Sequence, residues 1–116
     1  MIGEIWTYKA TKPSDNMEKV RPVLIIGNDE ESGLKFIDIN YVIISSSASC
    51  GKYDVRIEEK IAKEIGLNRE SIIKTTKIYT GSKTKLGRKI CELPYPIKEE
   101  FKKKYKEYQE NIICNL

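Results

Sequence analysis

There is no histidine anywhere in this chain of 116 residues. That removes the side chain most used for proton transfer near neutral pH, and the commonest metal ligand with it. Cysteine is scarce as well. Cys50, Cys91 and Cys114 are odd in number, far apart, and form no Cys-x-x-Cys pair. Such spacing supports neither a disulfide framework nor a zinc site. Cys91, inside Lys89-Ile90-Cys91-Glu92-Leu93, reads as a small buried hydrophobe. Cys50, in a serine-rich stretch, has no histidine partner to make it a nucleophile. Glycine-rich phosphate loops and nucleotide-binding signatures are absent too. No apolar run approaches the roughly 18 residues of a membrane span. Met1-Ile2-Gly3-Glu4 carries neither the basic nor the apolar region of a signal peptide. A cytoplasmic location, with no membrane partner and no cofactor or metal, is the expectation.

What remains is an ordinary globular composition, 40% hydrophobic and 33% charged. It is enough for one domain over residues 1–116 with a modest core. The net charge of +4 permits an anionic partner such as RNA without requiring one. Positive residues gather at Lys83, Lys85, Arg88 and Lys89, and again at Lys102-Lys103-Lys104 with Lys106.

The apolar pattern predicts a mainly β chain with some helix (α+β). Strands are expected over Ile2 to Lys9, Pro22 to Gly27, Leu34 to Ile44, Tyr53 to Ile57, Ser71 to Thr80 and Arg88 to Leu93. In the third, Ile37, Ile39, Tyr41 and Ile43 share one face and Asp38 and Asn40 the other. In the fourth, Tyr53, Val55 and Ile57 face inward while Asp54, Arg56 and Glu58 face out. Asp29-Glu30-Glu31 reads as a solvated hairpin, not a metal site. Trp6 belongs to the core or to a dimer interface. Glu59 to Leu67 reads as a short helix stopping near Gly66. A second helix starts at Pro96, where a first-turn proline is tolerated. Its Ile97, Phe101, Tyr105, Tyr108 and Ile112 form one apolar stripe, with Glu99/Lys103 and Glu100/Lys104 as pairs on the exposed side. Several short strands with turns between them suggest a closed or half-closed barrel.

The most informative segment is Val20-Arg21-Pro22-Val23-Leu24-Ile25-Ile26-Gly27-Asn28-Asp29. Proline fixes its own φ, lacks an N–H and suits the first position of a strand. It also holds Arg21 extended. A permanently charged guanidinium at the rim of a rigid β-core, with a polar loop from Thr11 to Val20 beside it, is suited to a phosphate.

Gly3-Glu4-Ile5-Trp6, the polar loop, Arg-Pro-Val-Leu-Ile-Ile with Asn-Asp, and then Ile43-Ile44-Ser45-Ser46 resemble the MazF/PemK (Kid) toxins of bacterial toxin–antitoxin systems. Asp54-Val55-Arg56-Ile57, Ser71-Ile72-Ile73, Lys77-Ile78-Tyr79-Thr80 and Lys85-Leu86-Gly87 continue the resemblance in order, from Gly3 to about Leu93. It implies a small SH3-like β-barrel of the CcdB/MazF kind with a C-terminal helix, acting as a homodimer. The implied activity is metal-independent, sequence-specific cleavage of single-stranded RNA, leaving 2′,3′-cyclic phosphate and 5′-hydroxyl ends. A cognate antitoxin protein is the implied partner. By position, the site centres on Arg21 and on Ser45 or Ser46. Asp15 and Glu18 are the nearby carboxylates for acid–base work. Lys19, Lys77, Tyr79, Lys83 and Lys85 are candidates for RNA binding, Tyr79 by stacking its ring on a base. Two rivals stay open: a CcdB-like gyrase inhibitor, which relies on the C-terminal Ile112-Ile113-Cys114-Asn115-Leu116, and a non-catalytic nucleic-acid-binding barrel.

Overall fold

A computed structural model describes residues 1–11, 18–47 and 49–116. Six strands form one antiparallel, curled sheet, a half-barrel: β1 (Glu4–Thr11), β2 (Glu18–Asn28), β3 (Asp38–Ser45), β4 (Val55–Ile57), β5 (Ser71–Ser82) and β6 (Leu86–Glu92). The spatial order is β4-β5-β3-β2-β1-β6. Helix α1 (Glu59–Ile65) follows β4, and α2 (Tyr95–Cys114) ends the chain. Among the described residues, no helix is long and apolar enough to cross a membrane.

Side-chain alternation divides the core between the two faces of the sheet. On one face Ile5, Leu24, Val42, Ile44, Val55, Ile57 and Ile73 pack against Ala62 and Leu67 beside α1 and Ile97 and Phe101 of α2. On the other, Tyr8, Val23, Ile25, Ile39 and Tyr41 form a second cluster with Trp6, Phe36 and Leu86, to which no helix contributes. Full burial of such aliphatic side chains stabilises by roughly 1.5–3 kcal/mol each, so the helix-covered face anchors the fold.

Several expectations need correction. The third strand starts at Asp38, not Leu34. The Asp29 carboxylate accepts the Asp38 N–H at 2.8 Å, and the Leu34 N–H goes to the Asp29 carbonyl at 3.1 Å. The intervening backbone is therefore committed to a turn, led by a 3₁₀ helix at Asp29–Ser32 rather than a plain hairpin. Ile37 continues the apolar alternation in sequence but is exposed, as is Leu34. Asp54 is buried, not outward, because its carboxylate takes the Lys74 ammonium and the Gly51 N–H, each at 2.7 Å. Lys74 reaches it from a bulge in β5. There the pairing jumps from Val42↔Ile78 to Ile44↔Ile73.

On α2, Glu99 pairs with Lys102 at 3.4 Å, and Lys104 donates to the Lys52 carbonyl at 3.2 Å. The apolar stripe is present, with burial deepest at Ile97 and Phe101. The α1 helix ends in the left-handed Gly66, φ 98°, a backbone angle that glycine adopts at little cost.

Candidate active site

Strand β2 has two parts. From Val23 it pairs with β3, and with β1 as well only as far as Leu24; over Glu18 to Pro22 it pairs with β1 alone. Pro22 is therefore the fifth residue of the strand and not its first, a correction to the sequence reading. A proline is tolerated there because the β3 ladder starts only at Val23↔Ile43, so residue 22 has no β3 partner needing its N–H. Pro22 lies opposite Thr7, and Arg21 lies opposite Tyr8.

Where the β2–β3 ladder stops, a cleft of about 580 Å³ opens toward the segment after α1. Lys19, Arg21, Arg69 and Arg88 line it, with the hydroxyls of Thr7, Ser46 and Ser71 and an apolar floor of Ile44, Leu67 and Ile90. No carboxylate lines it among the described residues. Four cations around a concave, partly apolar wall concentrate positive potential, which favours an anion of nucleotide size.

Local hydrogen bonds hold two of these arginines in place. The Arg88 N–H donates to Thr7 Oγ1 at 2.8 Å. Gly87 is required beside it, since a Cβ there would collide with the Thr7 hydroxyl. The buried Ser71 hydroxyl donates to the Arg69 carbonyl at 2.9 Å. Gly66 and Asn68, the latter at φ 50°, turn the chain so that Arg69 borders the cleft.

The candidates from the sequence fall in different places. Arg21, half-buried, shares the cleft with Ser46 and Lys19. Ser45 is not in the cleft lining. It pairs with Ile72, and its hydroxyl accepts the Ser47 N–H at 3.3 Å. By alternation Ser45 shares the helix-free face with Tyr41, as Arg21 does with its partner Tyr8, whereas Ser46 shares the other face with Ile44. Glu18 is exposed and lies 3.9 Å from Lys9, outside the cleft. Asp15 lies outside the described residues.

Tyr79 stands opposite Tyr41 with ring centroids 5.8 Å apart, and Tyr41 meets Tyr8 at 4.6 Å. Since Tyr8 is the ladder partner of Arg21, an aromatic file runs across the helix-free face from the arginine's strand pair to Tyr79. Burial, and then the neighbouring Tyr8, pushes the Tyr41 hydroxyl up to about 12, so it stays protonated at neutral pH. Lys77 is exposed two residues before Tyr79. Lys83 sits with its ammonium 4.5 Å from the Phe36 ring centre, and Lys85 is exposed at the end of a short 3₁₀ helix, Lys83–Lys85. Lys77, Tyr79, Lys83 and Lys85 thus lie away from the cleft.

Sequence reasoning missed Arg69 and the hydroxyls of Thr7 and Ser71. The only trace of Arg69 is its place just after the helix stop at Gly66-Leu67-Asn68, which says nothing about a facing β2 arginine.

The sequence model of the PemK-like, MazF-like toxins of type II toxin–antitoxin systems matches residues 2–107. The chain belongs to this family. Solved structures agree in fold. The Mycobacterium tuberculosis toxin MazF-mt6 superposes with a TM-score of 0.67 at 18% identity, over 90% of this chain and 96% of that one. A mycobacterial endoribonuclease, solved with its cognate antitoxin, gives 0.65 at 13% identity, over 90% and 89%. A further M. tuberculosis toxin gives 0.60 at 20%, over 75% and 90%. A search of curated protein sequences finds no match. The MazF-like assignment covers the whole sheet and most of α2.

Proposed function

We propose that this PemK/MazF-like toxin is a single-domain, sequence-specific endoribonuclease that cuts single-stranded RNA, including mRNA, without a metal ion and so inhibits translation. The observation that carries the reading is the cleft at the head of β2, where Arg21 stands with Ser46 and further cations.

With no histidine available, the chemistry divides among other groups. The substrate 2′-oxygen attacks phosphorus, the P–O5′ bond breaks, and the products are a 2′,3′-cyclic phosphate and a 5′-hydroxyl. Arg21 holds the phosphate and stabilises the charge that builds on its oxygens. Ser46, in the same cleft, or Ser45, one residue earlier, donates a hydrogen bond to a phosphate oxygen. A carboxylate of the β1–β2 connection, Asp15 or Glu18, takes the 2′-hydroxyl proton, and the departing 5′-oxygen is protonated by the resulting carboxylic acid or by water. Lys19 adds positive potential, while Lys77, Tyr79, Lys83 and Lys85 offer stacking and charge to the bases and phosphates beyond. The working unit is a cytoplasmic homodimer, held inactive by a cognate antitoxin.

The test is incubation of purified protein with a long single-stranded RNA in the presence of EDTA, beside Arg21→Ala. Site-specific cuts with 5′-hydroxyl ends are expected from the wild type. The variant should keep the fold and lose on the order of 10²–10³ in rate. Wild-type cleavage by well-folded Arg21→Ala would remove the arginine from the mechanism. RNA left intact at all protein concentrations would point instead to a gyrase inhibitor or a binding barrel. Ser45→Ala and Ser46→Ala, assayed singly, identify which hydroxyl acts.

A further inference from the structure

We infer that Arg69 and Arg88, which border the cleft together with Arg21, bind a second phosphate of the same RNA strand, one flanking the bond to be cut. The inference deepens the ribonuclease reading and rests on it for the identity of the ligand. Its support is the cleft itself. Arg21 and Leu86 are both ladder partners of Tyr8, on its opposite sides. Two strand spacings, about 10 Å, therefore separate the Arg21 backbone from the start of β6. Arg21 shares the face of its partner Tyr8, whereas Arg88 takes the face opposite that of Lys89, the partner of Trp6, so the two side chains suit successive phosphates of an extended chain rather than a single one.

Both flanking arginines are anchored through their backbones, Arg88 by Thr7 Oγ1 at 2.8 Å and Arg69 by the Ser71 hydroxyl at 2.9 Å. Both residues line the cleft, and neither forms an ion pair among the described residues. Arg56, by contrast, is committed to Glu70. The planar fork of each guanidinium suits a phosphate. The Ile44, Leu67 and Ile90 floor beneath them supplies apolar surface for a sugar or base. The strand would then run from the Arg21 subsite toward β6 and the Gly66–Arg69 turn, and the enzyme would prefer substrates extended by at least one nucleotide on that side.

The experiment measures binding apart from cleavage. A fluorescein-labelled single-stranded RNA of random sequence, roughly ten nucleotides long, carries 2′-O-methyl riboses so that it cannot be cut. Its affinity is followed by anisotropy as a function of salt. Arg69→Gln and Arg88→Gln should each weaken binding on the order of tenfold, the size of one charge-assisted phosphate contact. The double variant should lower the slope of log K against log salt by about 0.7, the value for one phosphate on a single strand. Lys103→Ala with Lys106→Ala, exposed on α2, serves as the charge control and should change neither quantity by as much. In cleavage assays the arginine variants should raise KM on long RNA and leave kcat near the wild-type value.

Equal weakening by the arginine and α2 lysine variants would overturn the inference, since charge alone would then account for it. So would unchanged affinity in folded Arg69→Gln/Arg88→Gln while the wild type still cuts RNA, which leaves the ribonuclease reading intact. Arginine-dependent binding without any cleavage by the wild type would do the opposite: the subsite stands and the ribonuclease reading falls.

Discussion

Replacing Asp54 tests the least exposed ion pair of the described fold. Its carboxylate is 3% exposed and the Lys74 ammonium 18%. One oxygen, Oδ2, accepts both the Lys74 ammonium and the Gly51 N–H at 2.7 Å, while Lys74 also donates to the Ser49 carbonyl at 2.9 Å. In Asp54→Ala the ammonium loses its counter-charge in a poorly solvated place and the Gly51 amide loses its acceptor. Breaking a buried pair from one side costs about 3–5 kcal/mol. For a domain of this size each kcal/mol moves the melting point by roughly 3–6 °C, so Tm should fall by about 10–30 °C. Circular dichroism during heating and urea titration gives both numbers. Asp54→Leu combined with Lys74→Met should recover much of the loss, because no unpaired charge is left inside. Glu70→Ala is the internal standard: its pair with Arg56 is half-exposed, so its loss should cost about 0–1 kcal/mol. A Tm change for Asp54→Ala no larger than that for Glu70→Ala would refute the reasoning, as would a double variant less stable than either single one.

Two further outcomes follow from side-chain environment. Tyr41 has its hydroxyl raised from 10.0 to about 12 by burial and by Tyr8. The folded state thus holds the proton more tightly, and stability, fully present below pH 10, should fall as pH rises from about 10 to about 12; Tyr41→Phe should flatten that part of the pH profile, and an unchanged slope would discount the tyrosine. Cys50 and Cys114 are exposed, whereas Cys91 is half-buried with its thiol pushed up by burial and only partly pulled back by Lys89. Two thiols should therefore react quickly with a water-soluble disulfide reagent and one slowly, as read by absorbance against time, and three equal rates would contradict this.

Much of the architecture was legible because local signals and tertiary demand agree. The aliphatic run after Pro22 sits in the middle of the sheet, and the Gly66 stop and the Ile97/Phe101 stripe lie close to where periodicity puts them. Where the reading erred, a side chain from elsewhere took over the backbone or the charge. Asp29 holds the amide of Asp38 and shortens β3, and Lys74 draws Asp54 inward through a bulge that no alternation rule reveals. Pairing of β2 with β1 alone carries that strand upstream through Pro22. The candidate site is harder to read for the same reason. Arg21 announces itself through its proline and strand, but Arg69 and Arg88 come from a turn and a distant strand. Arg88 reaches the cleft because β6 folds back beside β1, and Arg69 because the turn after α1 ends there.

The half-barrel is open, so it must end somewhere, and its two outer strands bear on how the molecule behaves when crowded. On one side β4 is three residues long and is backed by α2. On the other, β6 carries Arg88, Lys89 and Glu92 on a strand whose pairing with β1 is interrupted twice. Short length, charge and irregular register are the usual means of keeping one sheet from templating on another. A toxin with a long, flat, apolar border would risk joining copies of itself into open-ended stacks. Here both borders discourage that, and recognition of other molecules is left to the faces and the cleft.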